Sequence, residues 1–239
     1  MNKKLKIVLY IILALIIIVG AFGIYYINDF YHADESVDAY LNGSDNVSVI
    51  EIDDGLFLDG PGNETALIFY PGAKIESTAY LPMLSELSSC GVDCFLMEMP
   101  FNLAFLGQNE ADDVLDNSTY SYSNWYISGH SLGGAMAASY AANHDGLKGL
   151  ILFASYPTED LDDLSVLSIY GSNDKVLNRQ SYESSKNLSD NFTERIIDGG
   201  NHAQFASYGN QSGDGLAQIS SESQVNQSVN YVLDFIGEF

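Results

Sequence analysis

The sequence predicts a doubly wound, mostly parallel α/β sheet preceded by one membrane-spanning helix. Three observations carry that expectation. Short β-branched runs alternate with helical ones from Val47 onward, the pattern of a parallel sheet covered on both faces. An uncharged apolar run from Ile7 to Ile27 follows a basic cluster at Lys3, Lys4 and Lys6. The stretch WYISGHSLGGAMAASY places Ser131 between glycines where an apolar run gives way to a helix-like one. In such sheets, chemistry sits at the carboxyl ends of the strands.

The apolar run spans about 30 Å as a helix, the thickness of a bilayer's hydrocarbon core. Cleavage as a signal peptide is the alternative. Small residues occur at Gly20, Ala21 and Gly23, but a signal's apolar region is about 7–15 residues long, and here Ile24 to Ile27 prolong it. A retained anchor is the better fit, with Tyr25 and Tyr26 at the outer interface. The expected organisation is a cytoplasmic basic segment (1–6), the anchor (7–27), a polar juxtamembrane linker (28–46) and an extracytoplasmic domain (47–239). Asn-x-Ser/Thr triplets, among them those at Asn63, Asn187 and Asn210, mildly support an exterior location.

Within the domain, VSVIEI (47–52) and LFL (56–58) flank Asp53-Asp54-Gly55 and read as a hairpin. ALIFY (66–70) is a strand buried on both faces. STAYLPMLSELSSCG reads as a helix ended by Gly91, with Pro82 tolerable only in its first turn. VDCFLMEM (92–99) is the next strand, and Asn109 to Asn117 a short, weak helix. Trp125–Ser128 is a strand, followed by a helix to about Asn143. GLILFA (149–154), VLSIY (166–170) and TERII (193–197) are further strands, with a helix over Arg179–Leu188 between the last two. From Ser221 on, Val225, Val229, Val232, Leu233 and Ile236 fall on one helical stripe.

Charge narrows the partners. The net charge is −23, and only six of the nine basic residues lie beyond the anchor. Such a domain repels phosphate backbones and anionic lipid surfaces, so nucleic acid is not an expected partner. The two cysteines, Cys90 and Cys94, read as ordinary buried thiols, with a disulfide the alternative outside the cell. They support no zinc site.

The motif Gly129-His130-Ser131-Leu132-Gly133 fits G-x-S-x-G. A serine on a strained strand-to-helix turn needs small neighbours, and the turn lifts its Oγ above the sheet. A nucleophilic serine needs a base and an orienting acid. Of the four histidines, His32 is beside the membrane, His130 adjoins the nucleophile, and His144 ends the following helix, far below the site. His202, in the glycine-rich loop DGGNHAQF, remains as the base. Asp174, after VLSIYGSN, completes the chain order serine, aspartate, histidine. Asp198 is too near His202 in sequence, and Glu159, Asp160, Asp162 and Asp163 are the fallback. The N–H groups of Leu132 and Ala73 are the expected oxyanion donors, Gly72 allowing close approach. Lys74 is a candidate for attracting an anionic group.

These residues resemble the α/β-hydrolase superfamily over nearly all of Val47 to Phe239. The likeness is closest to a small cap-less branch, α/β-hydrolase family 5, through FYPGAKIESTAYLPML, MPFNLAFLGQNEADDV, GHSLGGAMAA, LSIYGSNDKV and GGNHAQFASYGNQSGDG. The resemblance implies Ser131, Asp174 and His202 as the triad. Larger members carry a helical lid where this chain has only Ser155 to Ser165, so an open site is expected. Phe105, Phe205 and Tyr208 are candidate substrate contacts, packing against the core being the other reading.

The expected function is that of a membrane-anchored serine hydrolase cleaving a small-molecule acyl ester through an acyl-enzyme on Ser131. It requires no cofactor or metal. Thioesters, lactones and amides are open as substrates. A non-catalytic binding module on the same fold and an acyltransferase are the alternatives.

Overall fold

The strand Thr65–Tyr70 (β3) shows how the sheet is assembled. All six of its residues are buried, as a strand covered on both faces requires. Burying Leu67, Ile68 and Phe69 contributes about 1.5–3 kcal/mol apiece. In this computed structural model, which describes residues 2–237, β3 lies near the centre of an eight-stranded sheet.

The elements in chain order are helix α1 (Lys3–Asn28), hairpin β1 (Ser48–Ile52) and β2 (Gly55–Asp59), then β3. Helix α2 (Leu81–Ser89), strand β4 (Val92–Met97) and helix α3 (Ala111–Leu115) follow. Next come β5 (Asn124–His130), α4 (Leu132–Asn143), β6 (Leu147–Phe153) and β7 (Ser165–Gly171). Helix α5 (Arg179–Ser185), strand β8 (Phe192–Ile197) and helix α6 (Ser221–Ile236) complete the chain. The sheet order is β1-β2-β4-β3-β5-β6-β7-β8. Strands β4 to β8 pair in parallel, and the hairpin adds antiparallel through β2 on β4.

Alternate residues of each strand feed opposite faces. Leu67, Phe69, Ile151, Phe153, Leu167 and Ile169 pack with α2 and α6. Ala66, Ile68, Ile127, Leu150, Leu152 and Val166 pack with α3 and α4. Pro82 sits in the first turn of α2, the one place a helix accepts it. The chain goes from β3 to β4 on one side and to β5 on the other. That reversal opens a crevice between the carboxyl ends of β3 and β5, the place where sheets of this kind take ligands.

Helix α1 is long and apolar enough to cross a membrane. The segment after it, expected as a polar linker, lies on the domain. Tyr31 bridges to Ile75 as a parallel pair, Asp34 N–H donates to the Ser207 carbonyl, and Val37 is buried in a 3-10 turn over Glu35–Ala39. Its apolar residues fall mainly in two short runs, Phe30-Tyr31 and Ala39-Tyr40-Leu41, and a lone Val37, without a period, so the sequence pattern conceals the docking. Both cysteines are free thiols, but only Cys94 is buried as expected; Cys90, capping the end of α2, is exposed. Burial pushes the Cys94 thiol up to about 12.

Candidate active site

Ser131 joins β5 to α4 at φ 53°, ψ −122°. A non-glycine residue rarely takes a positive φ, and the turn costs about 1–3 kcal/mol. The surroundings hold it there. Ser131 N–H donates to the Phe153 carbonyl at 2.9 Å, and Ser155 Oγ donates to the Ser131 carbonyl at 2.7 Å. The flanking glycines are steric requirements. A Cβ on Gly129 would lie 2.5 Å from the Gly133 carbonyl carbon, and one on Gly133 would lie 2.2 Å from the Pro71 carbonyl oxygen. The start of α4 is therefore pressed against the loop that follows β3.

Asp174 and His202, expected from separate loops, meet behind this turn. Asp174 Oδ2 lies 2.9 Å from His202 Nδ1, and both side chains are shut off from solvent. Asp174 Oδ1 accepts from the Val176 and Leu177 N–H groups, each at 2.8 Å. A carboxylate so held accepts from Nδ1, which puts the ring proton there and leaves Nε2 with a free lone pair. Nε2 is buried and has no hydrogen-bond partner among the described residues. Such orphaned polar atoms are rare in folded proteins and point to a working group. Ser131, His202, Leu132, Ala135, Tyr156 and Leu177 line one cavity of about 240 Å³. A larger hollow of about 690 Å³ lies at the opposite pole, around His144 and the loop Asp160–Ser165. It is separated from Ser131 by the length of α4, about 18 Å.

Residues the sequence did not single out hold the loops. Asp214 Oδ2 accepts from Ala203 N–H at 3.0 Å, and its Oδ1 from Lys175 N–H at 3.3 Å. One carboxylate thus ties the neighbour of His202 to the neighbour of Asp174. The Gln224 amide accepts from Asn201 N–H and donates to the Asn201 carbonyl. Behind the site, Gly72 N–H donates to the Tyr80 hydroxyl at 2.9 Å, which lies 2.8 Å from His130 Nδ1. His130 Nε2 donates to the His202 carbonyl at 3.1 Å. Nδ1 is therefore the acceptor and the ring is neutral. Burial, and then the nearby His202, hold His130 well below the ordinary histidine range. His130 was expected only as a neighbour of the nucleophile. It in fact links the loop after β3 to the loop carrying His202.

A family model described as the alpha/beta hydrolase family matches residues 66–226. The chain belongs to the alpha/beta hydrolase family. Solved structures agree on the fold. The chain is similar to Est1E from Butyrivibrio proteoclasticus (16% identity, 80% of this chain and 99% of that one, TM-score 0.56). It is similar to alpha/beta hydrolase domain-containing protein 10 from mouse (13% identity, 80% and 98%, TM-score 0.58). A soluble variant of the monoglyceride lipase of Saccharomyces cerevisiae is also similar (10% identity, 82% and 96%, TM-score 0.57). No curated protein matches the sequence.

In this alpha/beta hydrolase the N–H groups of Leu132 and Ala73 make no hydrogen bond among the described residues, which leaves them free to donate. Leu132 begins α4, where the helix dipole also favours an anion. The candidate substrate contacts divide between the two readings, Phe205 and Tyr208 taking the core-packing one. Phe205 is fully buried between the His130 and Phe153 rings. Tyr208 is buried against Tyr31 and donates to Gln211. Lys74 Nζ is taken by Asp29 at 2.7 Å. Phe105 is exposed beside Leu106 and Gly107, in a cleft apart from the Ser131 cavity. The walls of that cavity come instead from Leu132, Ala135, Tyr156, Val176 and Leu177. Tyr156, Val176 and Leu177 lie in loops that no periodic pattern marks, so the sequence offered no signal for them. Between β6 and β7 only a loop intervenes, with no lid.

Proposed function

We propose that the protein is a membrane-anchored, extracytoplasmic serine hydrolase of carboxylic esters, working through Ser131, His202 and Asp174. The observation that carries the reading is the orphaned, buried Nε2 of His202. Its proton is fixed on Nδ1 by Asp174, and its lone pair shares a cavity with the strained Ser131 turn.

Nε2 takes the proton of Ser131 as Oγ attacks the ester carbonyl carbon. The developing oxyanion is held by the Leu132 and Ala73 N–H groups. Asp174 stabilises the imidazolium without taking its proton. Collapse of the tetrahedral intermediate expels the alcohol, which receives the proton from Nε2. Water, deprotonated by the same nitrogen, then attacks the acyl-enzyme, and Nε2 returns that proton to Ser131 Oγ as the acid is released. In the free protein Ser131 Oγ makes no hydrogen bond to Nε2. Such contacts commonly close only with substrate bound. Helix α1 serves as the anchor, and the basic cluster at Lys3, Lys4 and Lys6 keeps its start in the cytoplasm. The acidic surface of the domain leaves nucleic acid out of its partners.

The test is covalent labelling with a fluorophosphonate, read by intact mass, on the parent chain, Ser131→Ala and His202→Ala. The parent alone should gain the adduct. A folded parent that stays unlabelled would overturn the reading.

A further inference from the structure

Two features outside the catalytic machinery meet at one end of the domain. The first is the way the chain leaves α1. Asp29 caps α1, and its carboxylate holds Lys74 Nζ, which also lies 4.6 Å from the Tyr26 ring centroid. That partner raises the lysine's affinity for its proton. Tyr31 N–H then donates to the Lys74 carbonyl at 2.7 Å, and Glu76 N–H donates to the Tyr31 carbonyl at 2.9 Å. The end of α1 also lies against the turn Pro100–Asn102. From Asn28 to Tyr31 even an extended chain reaches only about 10 Å. The tether has no slack, and it is fastened beside Ala73, at the mouth of the candidate site.

The second feature is an apolar rim on the adjoining loop. Phe101, Phe105 and Leu106 are 58%, 53% and 49% exposed. Phe101 remains exposed even though it is held at φ 56°, a costly geometry for an aromatic residue. Beyond α1, the other exposed large apolar side chains among the described residues, such as Leu41, Ile50 and Leu216, are scattered along the chain. Single ones need no explanation, whereas a cluster does. This cluster continues the exposed apolar surface of α1 through the contact at Pro100–Asn102.

We propose that this end of the domain rests on the bilayer that α1 crosses. Phe101, Phe105 and Leu106 sit among the headgroups and upper acyl chains. The ester that reaches Ser131 is a bilayer-resident lipid with an uncharged or zwitterionic headgroup. The tether holds Tyr31, and through it the Lys74 backbone beside Ala73, within about 10 Å of the end of α1, a depth that apolar side chains of surface-bound elements commonly reach. The headgroup class follows from charge. All 32 acidic residues lie beyond the span against six basic ones, so an anionic lipid is repelled. The proposal rests on the esterase reading and on retention of α1.

The experiment uses the full chain in phosphatidylcholine nanodiscs, with the acyl chains brominated or not. The one native tryptophan, Trp125, lies at the amino end of β5, the pole opposite Ser131, and serves as a reference. Bromination should leave the parent's fluorescence unchanged and should quench Phe105→Trp and Leu106→Trp by about half, as at interfacial depth. The double variant Phe101→Asn, Leu106→Gln keeps a residue that tolerates the left-handed turn. It should hydrolyse a long-chain ester dissolved in the nanodisc about tenfold more slowly, with soluble fluorophosphonate labelling at the parent rate. Absence of quenching at positions 105 and 106, in protein whose mass shows α1 intact, overturns the docking. So does a mature protein cleaved before Asp29. Unchanged turnover of the lipid ester by the double variant overturns the substrate class. A parent that is quenched as expected but takes no fluorophosphonate overturns the esterase reading instead, and the docking stands.

Discussion

His130 Nε2 lies 3.1 Å from the carbonyl oxygen of His202, and its Nδ1 lies 2.8 Å from the Tyr80 hydroxyl. A second, neutral histidine thus braces the backbone of the proposed base. Its folded-state pKa is depressed below the usual value of about 6.5. Between the two values the unfolded chain binds the extra proton, so stability rises with pH there. The contribution is complete above about pH 6.5 and is lost as pH falls toward the folded value. His130→Gln keeps a donor and an acceptor without that titration. Thermal unfolding of parent and variant in detergent should show a shallower acid loss in the variant. Parallel acid limbs would contradict the assignment.

Asp174→Asn preserves the shape of the pair but exchanges an acceptor for an amide. The tautomer of His202 is then no longer fixed. Ester turnover should fall about 10⁴-fold while the fold is kept. Steady-state rates with a short-chain ester, beside an unchanged near-ultraviolet dichroism spectrum, are the check.

Asp214 touches neither substrate nor reacting atoms but links Lys175 to Ala203. Asp214→Ala frees both loops and should lower kcat about 10- to 100-fold, as small misplacements of catalytic groups do, with little change in KM. An equal rise in KM would mean that the residue shapes the pocket instead.

Gly133→Ala sets a Cβ 2.2 Å from the Pro71 carbonyl oxygen and 2.3 Å from that of Tyr70. Both are backbone atoms with little room to yield. Overpacking of this kind costs about 1–3 kcal/mol and here also displaces the loop after β3. Denaturant unfolding should register the loss, and labelling of Ser131 should slow with it.

Ala135 lines the cavity beside Ser131. Ala135→Leu fills part of its 240 Å³ and should shift preference toward shorter acyl chains, each excluded methylene being worth about 0.8 kcal/mol. A chain-length series of esters reads the change directly, and an unaltered profile would place the acyl group elsewhere.

Much of this architecture was legible in sequence because it is periodic or punctuated. Ala66–Tyr70 is a continuous apolar run, and both of its faces are buried. Pro82 announced its own position in the first turn of a helix. The turns that carry Ser131 and His202 were readable because glycines mark them. What escaped was side-chain direction in loops. Phe205 and Tyr208 occupy the right loop but point into the core. Val176 and Leu177 line the cavity from a stretch with no pattern. Tyr80 reads as one more apolar helix position, yet its hydroxyl joins Gly72 to His130.

The sequence by itself determined the alternation of strand and helix, the membrane-length apolar run and the strand-to-helix turn at Ser131. Each depends on residues close together in the chain, where periodicity and steric need are written locally. Only the tertiary structure decided that Asp174 meets His202 and that Asp214 joins their loops. It also decided that Lys74 faces Asp29 and that the segment after α1 lies on the domain. Those are contacts between residues far apart in sequence, and the packing of the sheet against its helices selects them.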